Sequence, residues 1–192
     1  MAQTIQYIGG TSFLRTAADD TADTFALEWW NGSTWAVLFT SSTNGNFNPA
    51  GGITEPTQFA ALAASYGTTS TTAVSTGAGV TITPTGTRVE IDGHAVAQNN
   101  TASDGWTLAI YRTTGSIPAQ GSAPGGSDAV VYQTTRTVSS ANQNFNSGWQ
   151  FVDSGLTVGA AYGYYITIAA VTGGTATVVG GTNQTTIIAR NT

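Results

Sequence analysis

The feature that most constrains the fold of this chain is a two-residue alternation of apolar and polar positions. Segment 88–95 (RVEIDGHA) places Val, Ile, Gly and Ala at every second position, with charged residues and His between them. Segments 106–110 (WTLAI) and 162–168 (YGYYITI) repeat the period. Successive side chains of a β-strand point to opposite faces. The pattern therefore predicts strands that are each buried on one face.

Eight such strands are predicted after residue 79, with Gly-Gly pairs at 173–174 and 180–181 marking turns. The predicted strands are 80–83, 88–97, 106–112, 129–138, 149–152, 162–171, 175–179 and 185–190. No crossover helix separates them, so the pattern favours an all-β fold, an antiparallel β-sandwich of jelly-roll type. Trp106 and Trp149 begin strands and are predicted to anchor its core.

The first region, residues 1–50, is predicted to be a small β-hairpin region. Strands are expected at 4–8, 24–30 and 34–40, with Asn31-Gly32 supplying the positive φ angles of a tight turn. We interpret this region as a docking segment that precedes the sandwich.

The second region, residues 51–78, contains the one predicted helix. Pro56 suits a first helical turn, 58–64 (QFAALAA) is rich in alanine, and Gly67 would end the helix. The Thr/Ser/Gly/Ala run 68–79 is predicted to be a linker. The sandwich head would then comprise residues 79–192.

Charge and cysteine content exclude several classes of function. The chain has no lysine, no cysteine, one histidine and a net charge of −5. Five isolated arginines form no basic stripe, so we expect neither nucleic-acid nor membrane binding. One histidine without cysteine disfavours a zinc site, and we expect no cofactor. The first ten residues lack a charged leader, so we expect synthesis in a cytoplasm.

We expect no catalytic residues. His94 shares a strand face with Glu90 and Asp92, but no nucleophile lies near it in the sequence, so we interpret it as a surface or interface histidine. A glycosidase needs only two facing carboxylates and stays open as an alternative. The acidic cluster at 19–23 (DDTAD) lacks the spacing and the glycine of a calcium loop and indicates a solvated turn.

Three of the five tryptophans, Trp29, Trp30 and Trp35, flank the predicted hairpin turn. Neighbouring tryptophans on a strand face opposite sides, and a small hairpin cannot easily bury both. We therefore predict these three as docking residues, covered by another domain or chain. A carbohydrate-stacking platform is the alternative.

Segments 80–84 (VTITP), 87–93 (TRVEIDG), 105–112 (GWTLAIYR) and 154–162 (SGLTVGAAY) resemble β-sandwich proteins of tailed-phage surfaces. These are capsid decoration (cement) proteins and fibre heads. The resemblance covers the third region and implies a trimeric jelly roll without catalytic residues. Leu156 followed by Tyr162 also resembles the tyrosine corner of fibronectin-type and immunoglobulin-like sandwiches.

The expected function is that of a non-enzymatic virion structural protein. It would decorate the capsid surface as a homotrimer, with the major capsid protein or another virion protein as partner. The alternative is the receptor- or glycan-binding head of a phage tail or head fibre, although no shaft repeat is present in the sequence.

Overall fold

The computed structural model describes residues 57–182 and 184–192 in full, and the backbone of four earlier strands. The chain divides into two units, Met1–Glu55 and Pro56–Thr192. The predicted strand at 4–8 and the acidic residues Asp20 and Asp23 lie outside the described residues.

The first unit contains a four-stranded antiparallel meander in the order β1-β2-β3-β4. Its strands are β1 (Leu14–Asp19), β2 (Thr24–Trp30), β3 (Trp35–Ser41) and β4 (Phe47–Pro49). The predicted strands 24–30 and 34–40 are thus present as β2 and β3. The register between them shifts at Leu27/Glu28, which marks a β-bulge in the hairpin.

The described residues of the second unit form ten strands in two antiparallel sheets. The four-stranded sheet has the order β10-β9-β12-β7, and the six-stranded sheet contains β5, β14, β8, β13, β6 and, along the other side of β8, β11. The bounds are β5 (Gln58–Ala61), β6 (Tyr66–Thr68), β7 (Val74–Ile82), β8 (Arg88–Asn99), β9 (Gly105–Thr113), β10 (Ala129–Thr137), β11 (Phe145–Ser154), β12 (Tyr162–Ala170), β13 (Ala176–Val178) and β14 (Thr185–Asn191).

Strand pairing in this unit is nested like a folded hairpin. β9 pairs with β10, β8 with β11, β7 with β12, and β5 with β14. Each successive pair encloses the one before it along the chain and alternates between the two sheets. This is the connectivity of a jelly roll, with β6 and β13 as short additions.

The core follows the alternation in the sequence. On β8, Val89, Ile91 and Ala95 are fully buried, and on β9 so is Trp106. Trp149 is buried as well. The core positions of both predicted anchors are thereby confirmed. Apolar side chains at every second position of both sheets meet in one hydrophobic layer, which is the arrangement that the period of two requires.

The predicted short helix was wrong. The structure forms β5 and β6 in its place, separated by the turn that follows buried Leu62. Phe59 pairs with Ile188 of β14, and Tyr66 pairs with Val178 of β13. A helix of two to three turns is marginal by itself, and strand pairing at the edges of a sheet overrides alanine's helix propensity.

Strand β7 lies where the sequence indicated a linker. The first half of β7 falls within the run 68–79, and Ser75 and Thr76 in this half are fully buried. The Thr76 hydroxyl donates to the carbonyl of Ile166 at 3.0 Å. Hydroxyls that bond to the backbone fit a pleated interior, so this Thr/Ser/Gly composition forms a core strand. The division between the units falls instead at Glu55 and Pro56.

Within the described ranges, no helix is long and apolar enough to cross a membrane.

Candidate docking surfaces

The predicted tryptophan cluster is placed by strand register. Trp30 lies directly opposite Trp35 across the β2–β3 hairpin, so the two share one face of the sheet. Trp29 lies on the other face, in register with Leu14 and Ala36. The structure therefore brings two of the three tryptophans together and separates the third.

The face that carries Trp29 is mostly apolar, and its polar positions by register are Thr16 and Ser41. By register its positions include Leu14, Phe25, Leu27, Trp29, Ala36, Phe39 and Phe47. The opposite face carries polar pairs as well as Trp30 and Trp35, since Arg15 lies across from Glu28 and Asp19 across from Thr24. We call the first of these surfaces the N-terminal apolar face.

The outer face of the six-stranded sheet holds the charged residues that alternate along β8. Arg190 lies 3.8 Å from a Glu90 carboxylate oxygen and 3.6 Å from one of Asp92, and the Gln150 amide donates to Glu90 at 2.6 Å. Arg190 and Asp92 are each more than a third exposed. Such loose, solvated ion pairs contribute little to stability and place no reactive group in a cavity.

His94 lies on the same face, half-buried, with Nδ1 3.2 Å from the Thr186 hydroxyl oxygen. In the ranges 57–182 and 184–192, no group of three or more His, Cys, Asp or Glu side chains could hold a metal ion.

A partly buried polar network ties the two sheets together near β11. The Tyr164 hydroxyl donates to Asp153 at 2.8 Å, and Arg112 Nη1 donates to both Asp153 carboxylate oxygens at 3.0 Å. Burial and then the hydrogen bond to Asp153 raise the pKa of Tyr164 far above its ordinary value. A tyrosine that is held neutral and donates to a paired carboxylate is a structural support rather than an acid or base.

The outer face of the four-stranded sheet contains a shallow trough of about 280 Å³. At its end the Tyr111 ring stacks on that of Tyr165, with centroids 5.8 Å apart. Its strand residues are Thr107, Ala109, Tyr111, Gln133, Thr167 and Ala169. The lining is uncharged, with hydroxyls, one amide and one aromatic ring, and sequence reasoning missed it because the strands are separated in the chain.

The long Gly/Pro-rich segment 115–126 partly covers the β7 side of this sheet. Ile117 lies over Gly79, where an added Cβ would be 2.9 Å from Ile117 Cδ1. Backbone bonds join Ser75 to Gly121 and Ser122, each at 2.8 Å. This segment, which composition marks as an exposed loop, is therefore partly a structural cover.

No family model and no curated protein matches this chain. Similar solved structures include an Eiger TNF from S. frugiperda, with 8% identity, a TM-score of 0.47, and coverage of 71% of this chain and 91% of that one. Another is the infectious bursal disease virus VP2 subviral particle, with 10% identity, a TM-score of 0.40, and coverage of 99% and 60%.

A third is the T=1 particle of the same virus, with 10% identity, a TM-score of 0.41, and coverage of 88% and 45%. The chain thus spans about half the length of the VP2 chains that it matches. At these TM-scores the similarities assign no family to the chain.

Proposed function

We propose that this chain is a non-enzymatic structural protein of a virion, a capsid decoration (cement) protein on the virion surface. It is made in the host cytoplasm and binds the capsid as a homotrimer. The observation that carries the proposal is the N-terminal apolar face. A four-stranded sheet with one apolar face requires a second layer to cover that face. We assign this layer to the major capsid protein or another virion protein.

The sandwich unit supports a head that acts by contact. Its described side chains form no metal-binding group of acids and histidine, and the acids Asp153 and Asp128 are engaged by structural hydrogen bonds. Without disulfides, a low-charge head gains stability when copies associate. A closed trimer would supply that association.

Two adjacent tryptophans on opposite faces give a matched test. Empty shells of the virus that encodes the chain are mixed with the full chain, with the Trp29→Ala variant or with the Trp30→Ala variant, and sedimented. We expect the wild type and Trp30→Ala to sediment with the shells and Trp29→Ala to stay in solution. Equal binding by all three, or no binding by the wild type, contradicts the proposal. Light scattering on the free protein tests whether its mass is a multiple of three chains.

The trough favours one alternative function, a glycan-binding fibre head. Its neutral lining beside the Tyr111 ring suits the hydroxyls and CH faces of an uncharged sugar. Saturation-transfer NMR with neutral oligosaccharides tests this. Loss of signal in Gln133→Ala, but not in Thr137→Ala at the exposed end of β10, would favour the fibre head. No signal with the wild type would remove it.

A further inference from the structure

The strand edges of the sandwich unit differ in how they are protected. Proteins prevent unwanted strand pairing by keeping edges short, breaking their register or covering them. β5 and β6 have only four and three residues. β10 has a register break between Val130 and Tyr132, and β7 is covered at Ser75 by the segment that contains Gly121 and Ser122.

β11 has none of these protections. It pairs with β8 over all ten residues from Phe145 to Ser154 without a register break. It contains no proline, lysine or arginine, and its single charge, Asp153, is engaged by Arg112 and Tyr164. In the part of the chain that the structure describes, backbone hydrogen bonds of β11 run to β8. Its other edge presents about five N–H and five C=O groups for pairing.

We propose that this edge pairs antiparallel with β11 of a second copy of the chain, across a two-fold axis. The two six-stranded sheets then become continuous. The contact is additional to the trimer of the proposed function and does not depend on it: two trimers joined in this way form a hexamer, and two monomers form a dimer.

The side chains of β11 suit pairing with themselves. Residues directly opposite each other in an antiparallel pair have their side chains on the same face of the sheet. When a strand pairs with a copy of itself, the two-fold axis must therefore pass through a residue position and not between two positions. A register centred on Gln150 pairs nine of the ten residues of β11, and it places Gln150 opposite itself, Gly148 opposite Val152, and Asn146 opposite Ser154. These outward residues are uncharged, so no like charges meet. Val152, 43% exposed in the single chain, would gain cover.

The absence of cysteine makes a cross-linking test direct. Gln150→Cys places one thiol of each copy at the predicted axis, where the two thiols are close enough to form a disulfide. Gln133→Cys, the same substitution at an exposed position of β10, is the control. Under mild oxidation of the full chain, we expect Gln150→Cys to form disulfide-linked pairs at least tenfold faster than Gln133→Cys. Equal rates would overturn the proposal.

Val152→Lys tests the same edge through the mass of the protein in solution. Val152 is exposed, so the variant should unfold at nearly the wild-type temperature while its added charges oppose pairing. We expect light scattering to give the wild type twice the mass of the variant. An unchanged mass would also overturn the proposal. If the variant has the mass of three chains and the wild type twice that mass, both the edge contact and the trimer are supported. If the variant is a monomer and the wild type a dimer, the edge contact is supported and the trimer is contradicted.

Discussion

Arg112 and Asp153 join the two sheets of the sandwich through a single guanidinium nitrogen that meets both carboxylate oxygens. Arg112 lies on β9 of the four-stranded sheet, and its Nη1 is 3.0 Å from both carboxylate oxygens of Asp153 on β11 of the six-stranded sheet. Tyr164, fully buried on β12, donates to the same carboxylate. One acid therefore holds a cation and a hydroxyl from the opposite sheet, and this closes the sandwich beside the free edge of β11.

Asp153→Ala should lower the free energy of unfolding by about 2–4 kcal/mol, because it leaves the buried Tyr164 hydroxyl and the Arg112 guanidinium without their acceptor. Asp92→Ala is the matched control. Its side chain is 38% exposed, and its carboxylate lies 3.6 Å from Arg190, so its loss should cost less than about 1 kcal/mol. Urea unfolding measures both. Similar losses for the two variants would show that the inter-sheet contact contributes no more to the free energy of unfolding than an exposed ion pair.

The strands of the sandwich could be predicted because burial on one face leaves a period of two in the sequence. Val89 and Ile91 on β8 show it plainly, and both are fully buried. The prediction of secondary structure failed where the local composition favours one structure and strand pairing in the sheet imposes another. Ala-rich β5 reads as a helix but pairs with β14 through Phe59 and Ile188. β7 reads as a linker because Ser75 and Thr76 are polar, yet their hydroxyls bond to the backbone.

The candidate sites depended more on tertiary structure. The sequence placed Trp29, Trp30 and Trp35 beside one turn, but only the register shows which two share a face. Asp153 and Arg112 are 41 positions apart in the chain, and no local pattern pairs them. The free edge of β11 is likewise a property of sheet order, which the alternation of side chains does not contain.

Gly93→Ala should destabilise the sandwich strongly. A Cβ at this position would contact the Thr186 carbonyl oxygen and lie 3.0 Å from Trp149 Cζ2. Overpacking of this kind costs about 1–3 kcal/mol, and more where backbone must move. Gly126→Ala is the control, since nothing lies within 4 Å of its Cβ. We expect the melting temperature to fall for Gly93→Ala and to stay near the wild type for Gly126→Ala. A reversed order would contradict the packing of Trp149 over Gly93.

Tyr162→Phe tests the tyrosine corner that Leu156 and Tyr162 resemble. The Thr157 backbone N–H donates to the Tyr162 hydroxyl oxygen at 3.0 Å. Losing this bond should cost about 1 kcal/mol in urea unfolding. Tyr132→Phe keeps the ring that packs on Phe151 and serves as the control. Equal effects would mean that the corner hydrogen bond contributes nothing to stability.

Acid should destabilise the protein partly through Asp104. Burial alone would raise the pKa of this carboxyl. The hydrogen bonds that it accepts from the Gly105 N–H and from the Thr172 N–H and hydroxyl outweigh burial, and they hold its pKa below the usual 3.8. A carboxyl whose folded pKa is lowered stabilises the fold above its unfolded pKa, and this contribution is lost as the pH falls. Asp104→Asn should therefore reduce the loss of stability between about pH 5 and pH 2, measured by urea unfolding at each pH. An acid profile identical to that of the wild type would contradict this role.

Alkali should destabilise the protein through Tyr164 and Tyr165. Burial raises the pKa of each hydroxyl above its usual 10.0, and the hydrogen bonds to Asp153 and Asp128 raise it further. In the unfolded chain these tyrosines ionise near pH 10. Their stabilisation is therefore complete below that pH and is lost as the pH rises above it, because ionisation then favours the unfolded state.

Tyr164→Phe removes one of these groups and should flatten the alkaline side of the stability profile. The variant should be less stable than the wild type at pH 7, since the hydroxyl's hydrogen bond to Asp153 is gone, and the difference should shrink as the pH rises above about 10. Urea unfolding at pH 7 and at steps above pH 9 measures this change. Tyr132→Phe, at a half-buried ring, is the control variant. A constant difference between Tyr164→Phe and the wild type across the alkaline range would show that Tyr164 ionises alike in the folded and unfolded chains.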